Sequence, residues 1–175
     1  MRTIVCAVLV MTMGLVGCQQ KEASKKQPVA APQVMMSAQE LDNLKSIATM
    51  NPGKAEGWTA YGNALMDSQK FSEAVEAYQK ALSIDPKNVD VRVDMGTCLK
   101  NVGKFDAAVA EVRKALAIAP NHVNAHRNLG VVLGFDLKDR AGAVKEFQKY
   151  LELAPNAPDA AQVRQAIADL QAGKK

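Results

Sequence analysis

Two histidines, His122 and His126, stand four residues apart, a spacing that on one continuous helix sets two imidazoles within reach of a single metal ion. The context argues for structural placement instead. No third ligand clusters with them, no HExxH arrangement is present, and His122 falls in the turn that follows Pro120. Of three cysteines, only Cys98 lies within the body of the chain, among apolar helical residues, where a small inert thiol is expected. The 18 acidic residues are spread over amphipathic stretches, and no pair is singled out by apolar neighbours. There is no Gly-rich phosphate loop, no GxSxG and no CxxC. These residues predict a protein that is not an enzyme and carries no metal or cofactor. A metal-binding or enzymatic accessory protein using His122 and His126 is the competing expectation.

The elements that would position such residues begin with an atypical N-terminus. Met1 and Arg2 make a short positive start, and Thr3 to Gly17 is an uncharged apolar run. Its fifteen residues fall short of the ~20 needed for a transmembrane helix and suit a signal peptide. The run ends in Leu15-Val16-Gly17-Cys18, which resembles the lipobox of bacterial lipoproteins. That resemblance implies cleavage before Cys18, a diacylglyceryl group on its sulfur and an acyl group on its new amine. Each buried methylene contributes ~0.8 kcal/mol, so two or more chains make membrane residence nearly permanent. Gln19 follows the cysteine in place of the Asp that resembles an inner-membrane retention signal, so the outer membrane, facing the periplasm, is the expected location.

From Gln19 to Met36 there is no aromatic, Leu or Ile residue, while Lys21, Glu22, Lys25, Lys26, Pro28 and Pro32 recur. Such a segment buries too little to fold. Residues 18–36 therefore read as the lipidated cysteine and a disordered tether, with a root-mean-square span of ~25 Å. Order is expected from Ser37, where Ser37-Ala38-Gln39-Glu40 forms a capping box ahead of Leu41, Leu44, Ile47 and Ala48.

The remainder of the chain repeats itself. Pro52, Pro86 and Pro120 are spaced by 34 residues, as are Gly62, Gly96 and Gly130, and Leu65, Leu99 and Leu133 keep the same register. A period of 34 with Trp58, Tyr61, Gly62, Leu65, Phe71, Ala74, Tyr78, Ala81 and Pro86 in its first unit resembles the tetratricopeptide repeat family. The resemblance implies an all-α solenoid of helical hairpins: an N-terminal cap helix over 37–54, units over 55–88, 89–122 and 123–157, and a C-terminal capping helix over 158–172. The second unit has Arg92, and the third has His126, where the first has Trp58. Leu133 to Ala143 is one residue longer than Leu65 to Ala74, so the third inter-helix turn is expected to carry an extra residue.

In this family the first helix of each hairpin lines a concave groove that holds a peptide. Carried over, the groove residues are Glu56, Thr59, Asn63 and Met66 in the first unit, and Asp90, Val93, Asp94, Thr97 and Lys100 in the second. Asn124, Arg127, Asn128 and Val131 complete the set in the third. Relatives that clamp a peptide's terminal carboxylate use lysines and asparagines. Here Thr59 stands where a lysine would be and Asp94 would repel the ligand, so a chaperone-tail clamp is not expected.

A net charge of +4, with cations and anions interspersed, argues against a nucleic-acid partner. The expectation is a lipid-anchored interaction scaffold or assembly adaptor of the bacterial cell envelope, holding a basic or amphipathic peptide of a partner protein. A self-associating structural protein is the further alternative, since such arrays can stack end to end.

Overall fold

The structure, a computed structural model, describes residues 36–173, which belong to one compact unit of the chain. The expected signal peptide, Cys18 and nearly all of the tether lie outside the described residues. Helix α1 spans Ala38–Met50, and Ser37 starts it by a reciprocal cap. The Ser37 amide donates to Glu40 Oε2 at 2.7 Å, and the Glu40 amide donates to Ser37 Oγ at 3.3 Å. Two of the amides that a helix start leaves without partners are thereby satisfied.

Three hairpins follow: α2 (Ala55–Asp67) with α3 (Phe71–Ile84), α4 (Val89–Asn101) with α5 (Phe105–Ile118), and α6 (Val123–Val131) with α7 (Arg140–Leu153). Helix α8, Ala160–Gln171, closes the array, and no strand occurs among the described residues. The second helix of each hairpin ends two residues before Pro86, Pro120 or Pro155, because a residue preceding proline is driven out of the helical region. Side chains start the next ones: Asn88 accepts from the Val91 amide, and His122 Nδ1 from the Ala125 amide.

Each helix packs on its neighbours in the chain, while α2, α4 and α6 also touch in succession and so share one face. The helices of a hairpin cross at a glycine. A Cβ on Gly62 would lie 2.6 Å from the Tyr78 ring, and one on Gly130 would lie 2.6 Å from the Phe147 ring. The missing side chain is what lets those rings come so close to the backbone. Tyr78, Phe147 and Leu65 are fully buried, each contributing about 1.5–3 kcal/mol through the area it removes from water.

The third hairpin corrects one expectation. Its turn, Leu137 to Asp139, has the same three residues as Ser68 to Lys70 and Val102 to Lys104. Each turn holds its middle residue in the left-handed region, at Gln69 (φ 59°), Gly103 (φ 78°) and Lys138 (φ 62°). The extra residue lies instead in the first helix, which continues through a π-helical turn, Val132–Asp136. There the Leu137 amide bonds the Val132 carbonyl, five residues back, at 3.0 Å. The turn is pinned by its left-handed residue and by a bond such as that from the Lys70 amide to the Leu65 carbonyl, whereas a helix absorbs one residue as a bulge.

Candidate functional site

The face shared by α2, α4 and α6 carries the expected groove residues, and it divides into two halves of different character. In the half built by the first two units, Glu56 and Asn63 are exposed, and Thr59 and Met66 are half-buried. The Tyr78 hydroxyl reaches this surface from α3: it donates to Asn63 Oδ1 at 2.8 Å and lies 3.9 Å from Met66 Sδ. Asp94 is half-buried beside it. Burial first, then the Asp90 charge, holds the Asp94 carboxyl above the ordinary carboxylate range; His122 opposes the rise and Asp67 adds to it. Three acids thus bear on one stretch of surface. Val93 departs from the expectation: at 3 % exposure it is part of the core and offers a ligand almost no surface.

In the other half, between the second and third units, Thr97, Lys100, Arg127, Asn128 and Val131 line one cavity of about 150 Å3. Gly96, Asn101, Val112 and Val132 complete its wall. Asn128 donates to Thr97 Oγ at 3.1 Å, and Thr97 Oγ donates to the Val93 carbonyl at 3.2 Å, so the rim is tied across the two units. The Arg127 guanidinium bonds Asp159, whose other oxygen accepts from the Tyr150 hydroxyl. Asn124 is exposed and lies outside this cavity. Residues from α4, α5 and α6 therefore converge here; Gly96, Asn101, Val112 and Val132 are the members that the sequence reading missed, and Val112 is the one that α5 supplies. The 34-residue register held the signal, since Val112 stands in line with Tyr78.

The two histidines do not converge. His122 Nδ1 accepts from the Ala125 amide, so Nε2 carries its proton and donates to Asp90 Oδ1 at 2.9 Å. His126 Nε2 donates to the Pro120 carbonyl at 2.8 Å, and its Nδ1 faces Glu146 Oε2 at 2.7 Å. All four ring nitrogens are engaged within the fold. Among the described residues no group of three or more His, Cys, Asp or Glu side chains is placed to hold a metal ion.

His126 fills a slot that each unit occupies with a different donor. Trp58 Nε1 bonds the Pro52 carbonyl at 3.2 Å, Arg92 Nε bonds that of Pro86 at 3.1 Å, and His126 bonds that of Pro120. Cys98 is fully buried; burial, then the Asp94 charge, pushes its thiol up to about 12, so it holds its proton and lacks nucleophilic character.

A family model described as tetratricopeptide repeat matches residues 65–130. The small glutamine-rich tetratricopeptide repeat-containing protein 2 of Mycosarcoma maydis is 38% identical over 48 residues, 27% of this chain, and the match spans only 14% of that protein's length. Among solved structures, MamA superposes with a TM-score of 0.71 at 19% identity, over 77% of this chain and 76% of that one. The first TPR of Spaghetti (RPAP3), bound to the HSP90 peptide SRMEEVD, superposes with a TM-score of 0.63 at 26% identity, over 67% and 94%. The fold is the helical-hairpin solenoid of tetratricopeptide repeats.

Proposed function

We propose that the chain is a non-enzymatic, membrane-anchored scaffold or assembly adaptor of the bacterial cell envelope, which holds a peptide segment of a partner protein against the α2–α4–α6 face. The observation that carries this reading is the convergence of side chains from three helices on one surface cavity. The likeness to a repeat domain solved with a peptide supports it. An acidic tail such as the one in that complex would meet Asp90 and Asp94, so a basic or amphipathic segment suits this surface better. The anchor rests on the sequence around Cys18, and no helix among the described residues is long and apolar enough to cross a membrane.

Site-specific photo-crosslinking in native cells tests the scaffold reading. A crosslinker in place of the half-buried Lys100 should trap one discrete partner, and one in place of the exposed Lys114, on the second helix of its hairpin, should not. Equal yields from both positions, or none from either, would discard it. Self-association draws on a different observation, the exposure of Met50 (79%) and Ile47 (54%) on α1. Light scattering that finds a monomer at every concentration removes that alternative.

A further inference from the structure

The three hairpins are built alike at the glycine crossing except in one respect. Opposite Gly62 stands the ring of Tyr78, and opposite Gly130 the ring of Phe147; opposite Gly96 stands only Val112, whose Cγ2 lies 2.6 Å from where a Cβ would be. In the first unit the far end of the Tyr78 ring passes between Asn63 and Met66, beside Asp94 and Cys98 of the next unit. Moved on by 34 residues, those four positions are Thr97, Lys100, Asn128 and Val132, and all four line the cavity of about 150 Å3. The cavity is therefore the place of a ring that the second unit does not supply.

We propose that this cavity receives the aromatic side chain of a partner peptide, Phe or Tyr, which completes the second unit as Tyr78 completes the first. The proposal rests on the scaffold reading and names what its groove recognises. Volume, lining and charge agree. A cavity of ~150 Å3 accommodates a benzene ring. Its floor of Val112, Val131 and Val132 is apolar, as a ring requires. Lys100 lies at the edge with no acidic partner among the described residues, placed to approach the ring face as Lys80 approaches Trp58, 4.2 Å from the ring centre. A tyrosine hydroxyl would meet Thr97 Oγ, the counterpart of the Asn63 oxygen that accepts from Tyr78.

The test titrates the intact chain with N-acetylphenylalanine amide and, separately, N-acetylalanine amide, following the amide resonances of Thr97, Asn128 and Val131. The aromatic probe should shift them saturably and the alanine probe should not. Val112→Tyr places the missing ring in the second unit; it should raise the melting temperature and weaken the aromatic probe by about tenfold or more. Val112→Ala enlarges the same space and should admit N-acetyltryptophan amide, which gives a reading even if the tyrosine variant folds poorly. Absence of a response in the parent chain, or an undiminished response in a folded Val112→Tyr, would overturn the proposal. So would self-association abolished by Val112→Tyr, because the occupant would then be a second copy. If crosslinking from position 100 traps its partner equally well in Val112→Tyr, the ring site fails and the scaffold reading stands. If nothing is trapped in the parent chain, the scaffold reading itself fails.

Discussion

Replacing Asp94 by asparagine removes a charge that its surroundings disfavour. Because burial and the Asp90 charge raise the carboxyl, the folded chain binds that proton more tightly than the unfolded chain does. Stability from this residue therefore falls as pH rises from the unfolded carboxylate value through the folded one. Asp94→Asn should be more stable than the parent at neutral pH, by up to about 1 kcal/mol. The difference should vanish once both states of Asp94 are protonated, which urea unfolding at a series of pH values measures. A gap that widens in acid would contradict it. At this scale the sequence was partly legible. Spacing alone aligned Arg92 and His126 with Trp58 and exposed the acids of the groove. It did not say that all three aligned residues donate to the carbonyl of a proline six residues earlier, because a family pattern records residue type, whereas the slot selects for an N–H at a given reach.

Helix α8 is held at its start by one carboxylate, Asp159, which accepts from Tyr150 of α7 and from Arg127 of α6. Tyr150 takes the place of the small Ala81 and Ala115 of the earlier units, and its hydroxyl is what reaches across to the cap. The Tyr150 bond first, and then the Arg127 bond, holds the Asp159 carboxyl below its ordinary range. A lowered folded-state value means stabilisation that is complete above the unfolded carboxylate value and is lost as pH falls through the folded one. Amides of α8 should therefore lose protection, relative to their intrinsic exchange rates at the same pH, as the solution is acidified while those of α2 to α5 keep theirs, and Asp159→Asn should show the same loosening of α8 at neutral pH. Protection lost evenly along the array would count against this. Among the elements, the cap at Ser37 and the proline stops were readable because each is a local rule. The place of the extra residue in the third hairpin was not, since length differences reveal an insertion without saying whether turn or helix takes it up.

For the molecule as a whole, the proposed anchor and the helical array make separable predictions. Cys18→Ser should release the protein from membrane fractions while its far-ultraviolet circular dichroism stays helical, because the described helices are held by packing on one another. A variant that stayed membrane-bound and uncleaved would remove the anchor from the proposal. The repeating architecture was legible because one period governed many residues at once, whereas the cavity was not, since it arises from a residue too small for its place, and a pattern search rewards matches. The π-helical turn bears on that period. One added residue turns every later side chain by roughly 100° about a straight helix axis. By taking it up within Val132–Asp136, the chain confines the phase error as a crystal confines a dislocation: Gly130 before the defect, and Ala143 and Phe147 after it, still meet their own partners. The family match ends at Gly130, two residues before that defect, while the hairpin packing carries on through it.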